Sequence, residues 1–441
     1  MALVLDVRLD GFDAPIGRLR RDDRGDLAFG YADAYLARAD ALALSLSFPL
    51  ADGRFGDYET RGFFDNLLPE RDSARADIIA RHGLEASDIA GILFHLGKDC
   101  PGAVSVLPEG QPPAKVPGEL PHDYDGLDAE QLTDIVIALH RREPMPQEVV
   151  DPSPLAGVQS KIALTLLPNG QFGLPKPGSG APTTHIIKVP DERHRNDARH
   201  EHHAMALSNQ IGFPTAHTEI REIAGIEVLV ITRYDRALDD EGRIVRRHQE
   251  DFCQALGLNA RQKYERYGEG GRKFSAEAIA RILAKTTDPA SERLKFAQAS
   301  LFDMLIGNVD GHAKNFSIFH LAKGRYATTP RYDVMPTMLD RNTTDEFAFR
   351  IGKADSLEAM TAADFDAFLA DLGFSAPAGR RRIMARLIEN VVPELAAVLD
   401  RLHHTGGKNF ADLVATNIRT LCANMQLPVP AGAAQRDTFV R

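Results

Sequence analysis

The sequence predicts an α+β protein with two lobes, in which an N-terminal α/β subdomain and a strand-rich small lobe precede an all-helical C-terminal lobe. Apolar residues alternate along short stretches before residue 240, but recur at helical spacing from about 245 to 425. Prolines gather at 108–121 and at 144–154, which is typical of linkers. We therefore expect an α/β subdomain (1–110), a linker with one helix (111–154), a small lobe (155–240), a helical lobe (241–427) and a flexible tail (428–441).

Short apolar runs define the elements of the N-terminal subdomain and the linker. Alternation predicts strands over Leu3–Leu9 and over Leu42–Phe48. The run Phe63–Leu68 predicts a short helix, because a proline follows it, and Ala103–Leu107 predicts another strand. The linker helix is expected over 129–140.

Turn residues and strand-like runs predict the small lobe. The dipeptide Asn169-Gly170 is typical of a hairpin turn, and it joins strands over Lys161–Leu167 and 171–174. A strand over His185–Val189 and a helix over Asp197–Ile211 follow. A second hairpin is expected from 217–223 and 226–232.

Helical spacing dominates the C-terminal lobe, with one exception. Helices are expected over Glu250–Leu256, Ala276–Thr286, Ser291–Ile306, Ala362–Leu372, Arg380–Asn390, Glu394–His403 and Phe410–Leu421. Residues 315–320 and 326–332 flank a Lys-Gly turn, and they predict a two-stranded ribbon inside this lobe.

Composition excludes some classes of function. The 441 residues carry 52 basic and 62 acidic side chains, so the net charge is −10, which disfavours wholesale coating of nucleic acid or of an anionic membrane. Cys100, Cys253 and Cys422 are too far apart for a zinc site or a disulfide framework. We find neither a signal-peptide pattern nor a run of about 18 apolar residues, so we expect a cytoplasmic protein.

The strongest chemical pattern is an Asp-x-x-x-x-Asn motif with a later aspartate. Asp310 and Asn315 have this spacing, and Tyr332-Asp333 follows the predicted ribbon. Phosphoryl transfer to a hydroxyl needs a carboxylate that accepts the proton, and hard oxygen ligands for Mg²⁺ beside the triphosphate. Protein kinases arrange these groups in this order. Taken alone, Asp310 and Asn315 also fit a turn and a strand cap.

A lysine and a glutamate stand where a phosphate-binding pair would be expected. Lys188 lies between apolar residues of a predicted strand, and a buried ammonium needs a partner. Glu201 lies on the following helix, as in the lysine–glutamate pair of kinases. A lysine at a strand edge that reaches solvent is the alternative interpretation.

Two further segments fit a nucleotide site only weakly. Residues Ala156, Gly157, Val158, Gln159, Ser160 and Lys161 form a stretch with one glycine before a strand, which fits a phosphate loop or an ordinary turn. Thr232, Arg233 and Tyr234 leave the second hairpin, where backbone groups of a lobe connection could meet adenine. A charged strand exit is the alternative there.

Two other clusters favour structural roles. The histidines of His200–His203 lack metalloprotease spacing and suggest a solvated helix face. The run Arg380–Arg382 also suggests a solvated face rather than a nucleic-acid contact. The remaining features occur in one order, from phosphate loop and strand lysine to helix glutamate, linker, Asp-x-x-x-x-Asn motif and final aspartate. This order predicts a kinase-like ATP phosphotransferase.

These motifs resemble the HipA family, the serine/threonine-kinase toxins of bacterial toxin–antitoxin pairs. The resemblance lies in Asp310–Ser317, Tyr332-Asp333, Thr184–Lys188, Ala156–Lys161, Gln249–Gln254, Leu44–Leu50, Phe63–Pro69 and Gly102–Val104. It covers nearly the whole chain, and the Asp310–Asn315 string is its most specific part.

The resemblance implies a two-lobed protein-kinase-like fold that uses ATP and Mg²⁺. Asp310 would be the catalytic base, and Asn315 and Asp333 would bind the metal. Lys188, with Glu201, would hold phosphate, 156–161 would cover the triphosphate and 232–234 would meet adenine. His312, Lys314 and Tyr332 would complete the nucleotide site.

The resemblance also implies partners. It implies a HipB-like helix-turn-helix antitoxin that brings the complex to operator DNA, and a protein substrate such as glutamyl-tRNA synthetase or another aminoacyl-tRNA synthetase. Phosphorylation of that target would cause growth arrest and drug tolerance. The family commonly autophosphorylates a serine two positions before the Ala-Gly of its phosphate loop, where this chain has Pro154, so the nearest candidate is Ser153.

Three classes of function remain open from the residues alone. The chain is a protein kinase toxin, an ATP phosphotransferase for a lipid or small molecule, or a non-catalytic corepressor. The presence of Asp310, Asn315, Asp333 and Lys188 argues against the corepressor, and the absence of a membrane-binding stretch weakens the lipid version.

Overall fold

The computed structural model describes residues 2–68, 73–146, 149 and 159–440, and it divides the chain into two compact units. The first unit comprises residues 1–198, 219–260 and 317–327. The second unit comprises residues 199–218, 261–316 and 328–441.

Strands belong mainly to the first unit and long helices mainly to the second. The strands are β1 (Leu3–Leu9), β2 (Gly17–Arg21), β3 (Leu27–Tyr31), β4 (Val104–Pro108), β5 (Tyr124–Gly126), β6 (Lys161–Leu166), β7 (Phe172–Pro175), β8 (His185–Lys188), β9 (Thr218–Ile223), β10 (Ile226–Thr232), β11 (Arg236–Leu238), β12 (Ile244–Arg246), β13 (Gln249–Asp251), β14 (Ser317–Leu321) and β15 (Arg325–Thr328). The helices are α1 (Asp33–Leu36), α2 (Asp57–Phe64), α3 (Ser73–His82), α4 (Ile89–Leu96), α5 (Ala129–Arg141), α6 (Asp197–Gln210), α7 (Phe252–Leu256), α8 (Ala276–Leu283), α9 (Pro289–Ile306), α10 (Ala362–Asp371), α11 (Pro377–Thr405), α12 (Lys408–Asn424) and α13 (Ala431–Ala434).

In the first unit, both large sheets combine neighbours that are consecutive in the chain with strands that are distant along it. A four-stranded sheet has the order β3-β2-β1-β4, and its apolar face packs on a cluster of phenylalanines that includes Phe29, Phe48 and Phe63. A six-stranded sheet has the order β5-β7-β6-β8-β10-β9, and it contains both predicted hairpins and the predicted strand with Lys188. The two strands predicted after Asn315 are present as β14 and β15, but they join β13 in a three-stranded sheet of the first unit instead of lying inside the helical lobe.

The prediction of a strand over Leu42–Phe48 is wrong. Buried side chains, rather than a neighbouring strand, satisfy the backbone here: Glu250 Oε1 accepts from Leu46 N at 2.8 Å, and Tyr31 Oη accepts from Leu44 N at 2.8 Å. The segment is therefore an irregular loop with apolar residues facing the core. Glu250 itself was predicted in a helix, but it lies in β13, and α7 begins only after the Asp251 cap.

A buried ionic cluster joins β12 to the four-stranded sheet. The side chain of Arg246 is completely buried, and it donates to both oxygens of Asp10 at 2.6 and 2.7 Å and to Asp99 at 2.9 Å. Lys115 lies 3.2 Å from Asp99. Burial alone would raise the pKa of Asp99, but Lys115 and Arg246 outweigh it and hold that pKa far below its usual value.

The second unit packs its helices around α9, which lies against α11 and α12. The helices predicted on either side of Pro393 form one helix, α11. A proline inside a helix loses one hydrogen bond at a cost of about 3 kcal/mol. Buried leucines and valines flank Pro393, including Val391, Val392 and Leu395, and their packing holds the helix together across it.

The C-terminal segment contains structure where the sequence predicted a flexible tail. Residues 431–434 form α13, and the side chain of Ala433 is buried. Arg419 Nη1 donates to the carbonyl of Ala433 at 2.6 Å, and Lys408 pairs with Asp437 at 2.7 Å. These contacts fix the segment on α12, because they satisfy backbone groups that a loose tail would leave to water.

The buried His248 makes the stability of the first unit dependent on pH. Its Nε2 donates to the carbonyl of Leu44 at 2.8 Å, and its Nδ1 is buried without a hydrogen-bond partner among the described residues. Burial lowers the pKa of His248 well below its usual value, and His320 lowers it further. The folded protein therefore holds this ring neutral, whereas the unfolded chain binds a proton near pH 6.5.

We expect stability to fall as the pH drops below about 6.5, by about 1.4 kcal/mol per pH unit for this histidine. The His248→Gln variant, which keeps a donor near Leu44, should lose less stability between pH 7 and pH 5 in urea unfolding. The exposed control His122→Gln should behave as wild type. Equal losses in wild type and His248→Gln would contradict this assignment.

Candidate active site

The site begins where α9 ends. Gly307 ends the helix in a left-handed conformation, with φ of 76°. A Cβ at this position would lie 2.8 Å from Leu413 Cδ2, so a side chain has no room. Asn417 Nδ2 donates to the last carbonyls of α9, those of Met304 and Leu305, at 3.3 Å each. The direction in which the chain leaves α9 is therefore fixed.

Asp310 and Asn315 belong to one closed loop. The carbonyl of Asp310 accepts from His312 N at 2.7 Å and from Asn315 Nδ2 at 2.9 Å. Asn315 N in turn donates to the carbonyl of His312 at 2.9 Å. Both functional side chains are half-buried, so they are held by the loop and still reachable.

The segment with Asp333 is tied to this loop within the second unit. Tyr332 Oη donates to the carbonyl of Lys314 at 2.8 Å, and Thr337 Oγ1 accepts from Val309 N at 3.2 Å. Asp333 has φ of 55°, in the left-handed region that few non-glycine residues adopt. Such strain collects at functional sites, where the surrounding structure imposes it. The structure thus brings together the Asp310, Asn315 and Asp333 segments that the sequence predicted.

The oxygen donors of Asn315 and Asp333 fit Mg²⁺. Because Asn315 uses its amide nitrogen for the Asp310 carbonyl, its Oδ1 is the atom left to meet a cation. Mg²⁺ is commonly held by one or two carboxylates together with substrate phosphates and water. Two hard protein oxygens beside a nucleotide are therefore a sufficient protein contribution.

His312 remains neutral at physiological pH. Burial lowers its pKa to about 3, with a further contribution from Lys263. The ring lies edge-on to Tyr264, with centroids 5.2 Å apart. His312 can therefore contribute shape and a neutral donor to the nucleotide site, but not a positive charge.

In the first unit, two lysines face one another across β6 and β8. Lys161 and Lys188 are direct partners in the antiparallel register, so their side chains lie on the same face of the sheet. Lys188 is only 9% exposed. The register therefore places Lys161 on the same face as Lys188, the residue for which a phosphate-binding role is predicted.

The predicted adenine contact is partly occupied by contacts inside the first unit. Arg233 N donates to the carbonyl of Thr184 at 2.9 Å, and its side chain pairs with the buried Asp235 at 2.9 Å. Tyr234 Oη donates to Gln249 Oε1 at 2.8 Å, and Thr232 Oγ1 lies 3.3 Å from His185 Nε2. Any adenine contact here must therefore use other backbone groups of the segment.

Of the other residues predicted for the nucleotide site, the structure describes only some. Glu201 is buried on α6, and the carbonyl of Ser160 accepts from Val189 N at 2.9 Å, which extends the β6–β8 pairing toward Gln159. Ala156, Gly157, Val158 and Ser153 lie outside the described residues, so their predicted roles stay predictions.

The histidines of α6 do not form the solvated face that the sequence suggested. His202 Nδ1 lies 2.9 Å from Thr218 Oγ1, and His200 packs on Phe410. Burial lowers the pKa of His200 to about 4. These rings therefore pack inside the second unit. Arg380, by contrast, pairs with Asp366 on α10 at 2.9 Å, as a structural role requires.

Tyr264 is a site residue that sequence reasoning missed. Its hydroxyl donates to Asp310 Oδ1, the carboxylate predicted to be the base. Arg266 lies over the Tyr264 ring, with its guanidinium carbon 4.4 Å from the centroid. The tyrosine sits in a turn-rich segment without helical or strand periodicity, so no spacing in the sequence connected it with Asp310.

A closed loop with Asp310 and Asn315, followed by a hairpin and Asp333, has the order of groups found in kinases. Comparisons with family models agree: residues 153–398 match the HipA-like C-terminal domain, and residues 5–107 match the HipA N-terminal domain. The C-terminal match covers more than half of the chain. The chain belongs to the HipA family.

Individual proteins support the same assignment. A protein of Sinorhizobium fredii named "Putative kinase Y4mE" is 36% identical, over 93% of this chain and 97% of its own length. The "Serine/threonine-protein kinase toxin HipA" of Shewanella oneidensis is 28% identical, over 82% of each chain.

The fold is also that of a solved structure, the Shewanella oneidensis toxin–antitoxin complex of HipA, HipB and operator DNA. A protein chain of that complex matches with a TM-score of 0.74 and 25% identity, over 95% of this chain and 96% of its own length. The match confirms the predicted α+β, kinase-like fold. Within the described part of the chain, none of the helices has both the length and the apolar character that crossing a membrane requires.

We expect Tyr264→Phe to slow phosphoryl transfer by about 10–100-fold, because a hydrogen bond to a charged group contributes about 1.5–3 kcal/mol. The loss should fall on kcat, since the hydroxyl touches Asp310. Steady-state kinetics with labelled ATP measure it. The neighbouring exposed Tyr267 gives the matched control Tyr267→Phe, which should match wild type. Equal rates for both variants would remove Tyr264 from the site.

Proposed function

We propose that this protein is a serine/threonine-protein kinase toxin that transfers the γ-phosphoryl group of Mg·ATP to a serine of a protein target. The observation that carries the proposal is the closed loop of Asp310 and Asn315, tied to the strained segment with Asp333. Relatives named as kinases and as a kinase toxin support it.

Each residue of the site has a role in this reaction. Asp310 orients the acceptor hydroxyl and takes its proton, while Asn315 and Asp333 hold Mg²⁺, which neutralises charge on the phosphates when it is bound. Lys188 and Lys161, on one face of the sheet, bind phosphate oxygens. Residues 232–234 meet adenine through backbone groups, and residues 156–161 cover the triphosphate.

We infer the partners from the family and from charge. The Shewanella HipA was solved with HipB and operator DNA, which supports a HipB-like helix-turn-helix antitoxin here. With its net charge of −10, this chain reaches DNA only through that antitoxin, and the complex represses its own operon. The target is an aminoacyl-tRNA synthetase of the cytoplasm, and its phosphorylation arrests growth and allows cells to persist.

We expect Asp310→Asn and Asp333→Asn each to reduce phosphoryl transfer at least about 100-fold, for different reasons. The loss of the base should leave Mg·ATP binding intact, whereas the loss of the metal ligand should weaken it. Labelled ATP and a cell lysate measure transfer, and calorimetry measures binding. The exposed Asp240 provides the control variant Asp240→Asn.

Near-wild-type transfer by either site variant would contradict the role of that residue. Mass spectrometry of the same samples also tests self-modification at Ser153, which should carry phosphate in wild type and none in Asp310→Asn. A phosphate at that position would repel the ATP phosphates and inactivate the enzyme.

We expect partner-dependent binding to DNA. The purified chain should not retain a fragment of its own promoter in a gel shift, whereas the complex with the antitoxin should. Arg381 and Arg382 are exposed on α11, a solvated face in the free chain, and we propose that the antitoxin holds them against the DNA backbone. Their double alanine variant should then reduce the salt dependence of DNA binding by the complex by a slope of about two. Strong, salt-sensitive retention by the chain alone would contradict the proposal.

A further inference from the structure

Arg331 lies two residues before Asp333, and one of its guanidinium nitrogens forms an ion pair with Asp303, near the end of α9. Its Nη2 donates to both oxygens of Asp303, at 2.5 and 2.6 Å, and both side chains are nearly buried, at 12% and 10% exposure. A buried, charge-assisted pair in which one nitrogen donates to both carboxylate oxygens holds the two side chains at short distance.

The same carboxylate holds the other side of the site. Asn308 Nδ2 donates to Asp303 Oδ1 at 3.2 Å, and Asn308 N donates to the carbonyl of Asp303 at 2.8 Å. Asn308 lies two residues before Asp310. Asp303 therefore contacts both segments of the site. Through Asn308 it holds the segment that leads to Asp310, and through Arg331 it holds the segment that leads to Asp333.

The main chain of Arg331 connects the same point to the segment after α6. Arg331 N donates to the carbonyl of Pro214 at 2.8 Å, and Ala216 N donates to the carbonyl of Arg331 at 2.9 Å. Its Nη1 reaches Ser208 Oγ on α6 at 3.3 Å. Three segments thus meet at one guanidinium: the end of α9 with its loop, the Asp333 segment, and the helix that carries Glu201.

Stability alone is a weak explanation for this arrangement. A buried ion pair pays a desolvation cost that apolar residues of the same size avoid, so replacing it with such residues is often neutral. What apolar residues would not supply is the fixed spacing between three segments. The aromatic rings of Phe213 and Phe302, about 5.3 and 5.4 Å from the guanidinium carbon, already provide the packing surface.

We propose that Arg331 is a positioning residue that sets Asp333 and Asp310 in register with each other and with α6, an inference that rests on the proposed kinase function. Arg331 touches neither nucleotide nor acceptor. It acts through Asp303 and through its own backbone. Loss of its side chain should therefore let Asp333 relax from its left-handed conformation.

The fold should survive this loss. Burial raises the pKa of Asp303, against the opposing effect of Arg331 and Asn308. Without Arg331, the carboxyl can accept a proton and remain bonded to the Asn308 amide as a neutral acid. The Arg331→Leu variant places an apolar side chain between Phe213 and Phe302, and is therefore a suitable test.

The experiment compares Arg331→Leu with wild type and with Arg380→Leu. Arg380 also pairs with a carboxylate of the same unit, away from the loop: its Nε and Nη2 donate to the two oxygens of Asp366 at 3.0 and 2.9 Å. We expect Arg331→Leu to bind Mg·AMP-PNP about tenfold more weakly in calorimetry, because residues that orient metal ligands contribute about 10–100-fold in affinity. Metal-free AMP-PNP should bind within about twofold of wild type, and kcat for labelled-ATP transfer should fall by about 10–100-fold.

Chemical rescue distinguishes positioning from packing. In Arg331→Ala, millimolar guanidinium should restore part of the transfer rate, because it can donate hydrogen bonds to the Asp303 carboxylate in place of the missing side chain. Arg380→Leu should lose stability without either kinetic effect. A folded Arg331→Leu variant with wild-type rate and Mg·AMP-PNP affinity overturns the proposal. If wild type and Asp310→Asn are equally inactive, the proposed function has failed instead.

Discussion

The site depends on the end of one helix. α9 ends at Gly307, where no side chain fits beside Leu413, and Asn417 satisfies the helix carbonyls just before it. A helix end that is buried without partners for its carbonyls would be costly, so these contacts decide where the chain leaves the helix. The loop that follows closes on the carbonyl of Asp310. The positions of the predicted functional side chains of the second unit depend on this loop.

Charge is used differently in the two units. In the first unit, Arg246, Asp10, Asp99 and Lys115 neutralise one another inside the protein and hold irregular segments together. Lys161 and Lys188, opposite each other on β6 and β8, place two positive charges on one face of the sheet. In the second unit, the buried pair at Asp303 lies directly beneath the two loops with the functional carboxylates. The buried ion pair therefore restricts the positions of these two loops, whereas an apolar core would leave them less constrained.

Local signals predicted most of the fold. The Asn169-Gly170 dipeptide correctly predicted a hairpin turn, and the helical spacing over 291–306 correctly predicted most of α9. Prediction failed where distant groups decide the backbone, as at 42–48, where Glu250 replaces a strand partner. It also failed at Pro393, because packing outweighs a lost hydrogen bond. Spacing in the sequence predicted the carboxylates of the proposed site, whereas Tyr264 and Arg331 depend on contacts across 46 and 28 positions that no local pattern contains.

The most direct test of the account is a crystal structure with Mg·AMP-PNP. The account predicts a metal ion bound by Asn315 Oδ1 and the Asp333 carboxylate at about 2.1 Å, with the γ-phosphate facing Asp310. The phosphate chain should also contact Lys188. A nucleotide bound elsewhere, or a metal ion held without Asn315 and Asp333, would contradict the central claim that these residues form a phosphoryl-transfer site.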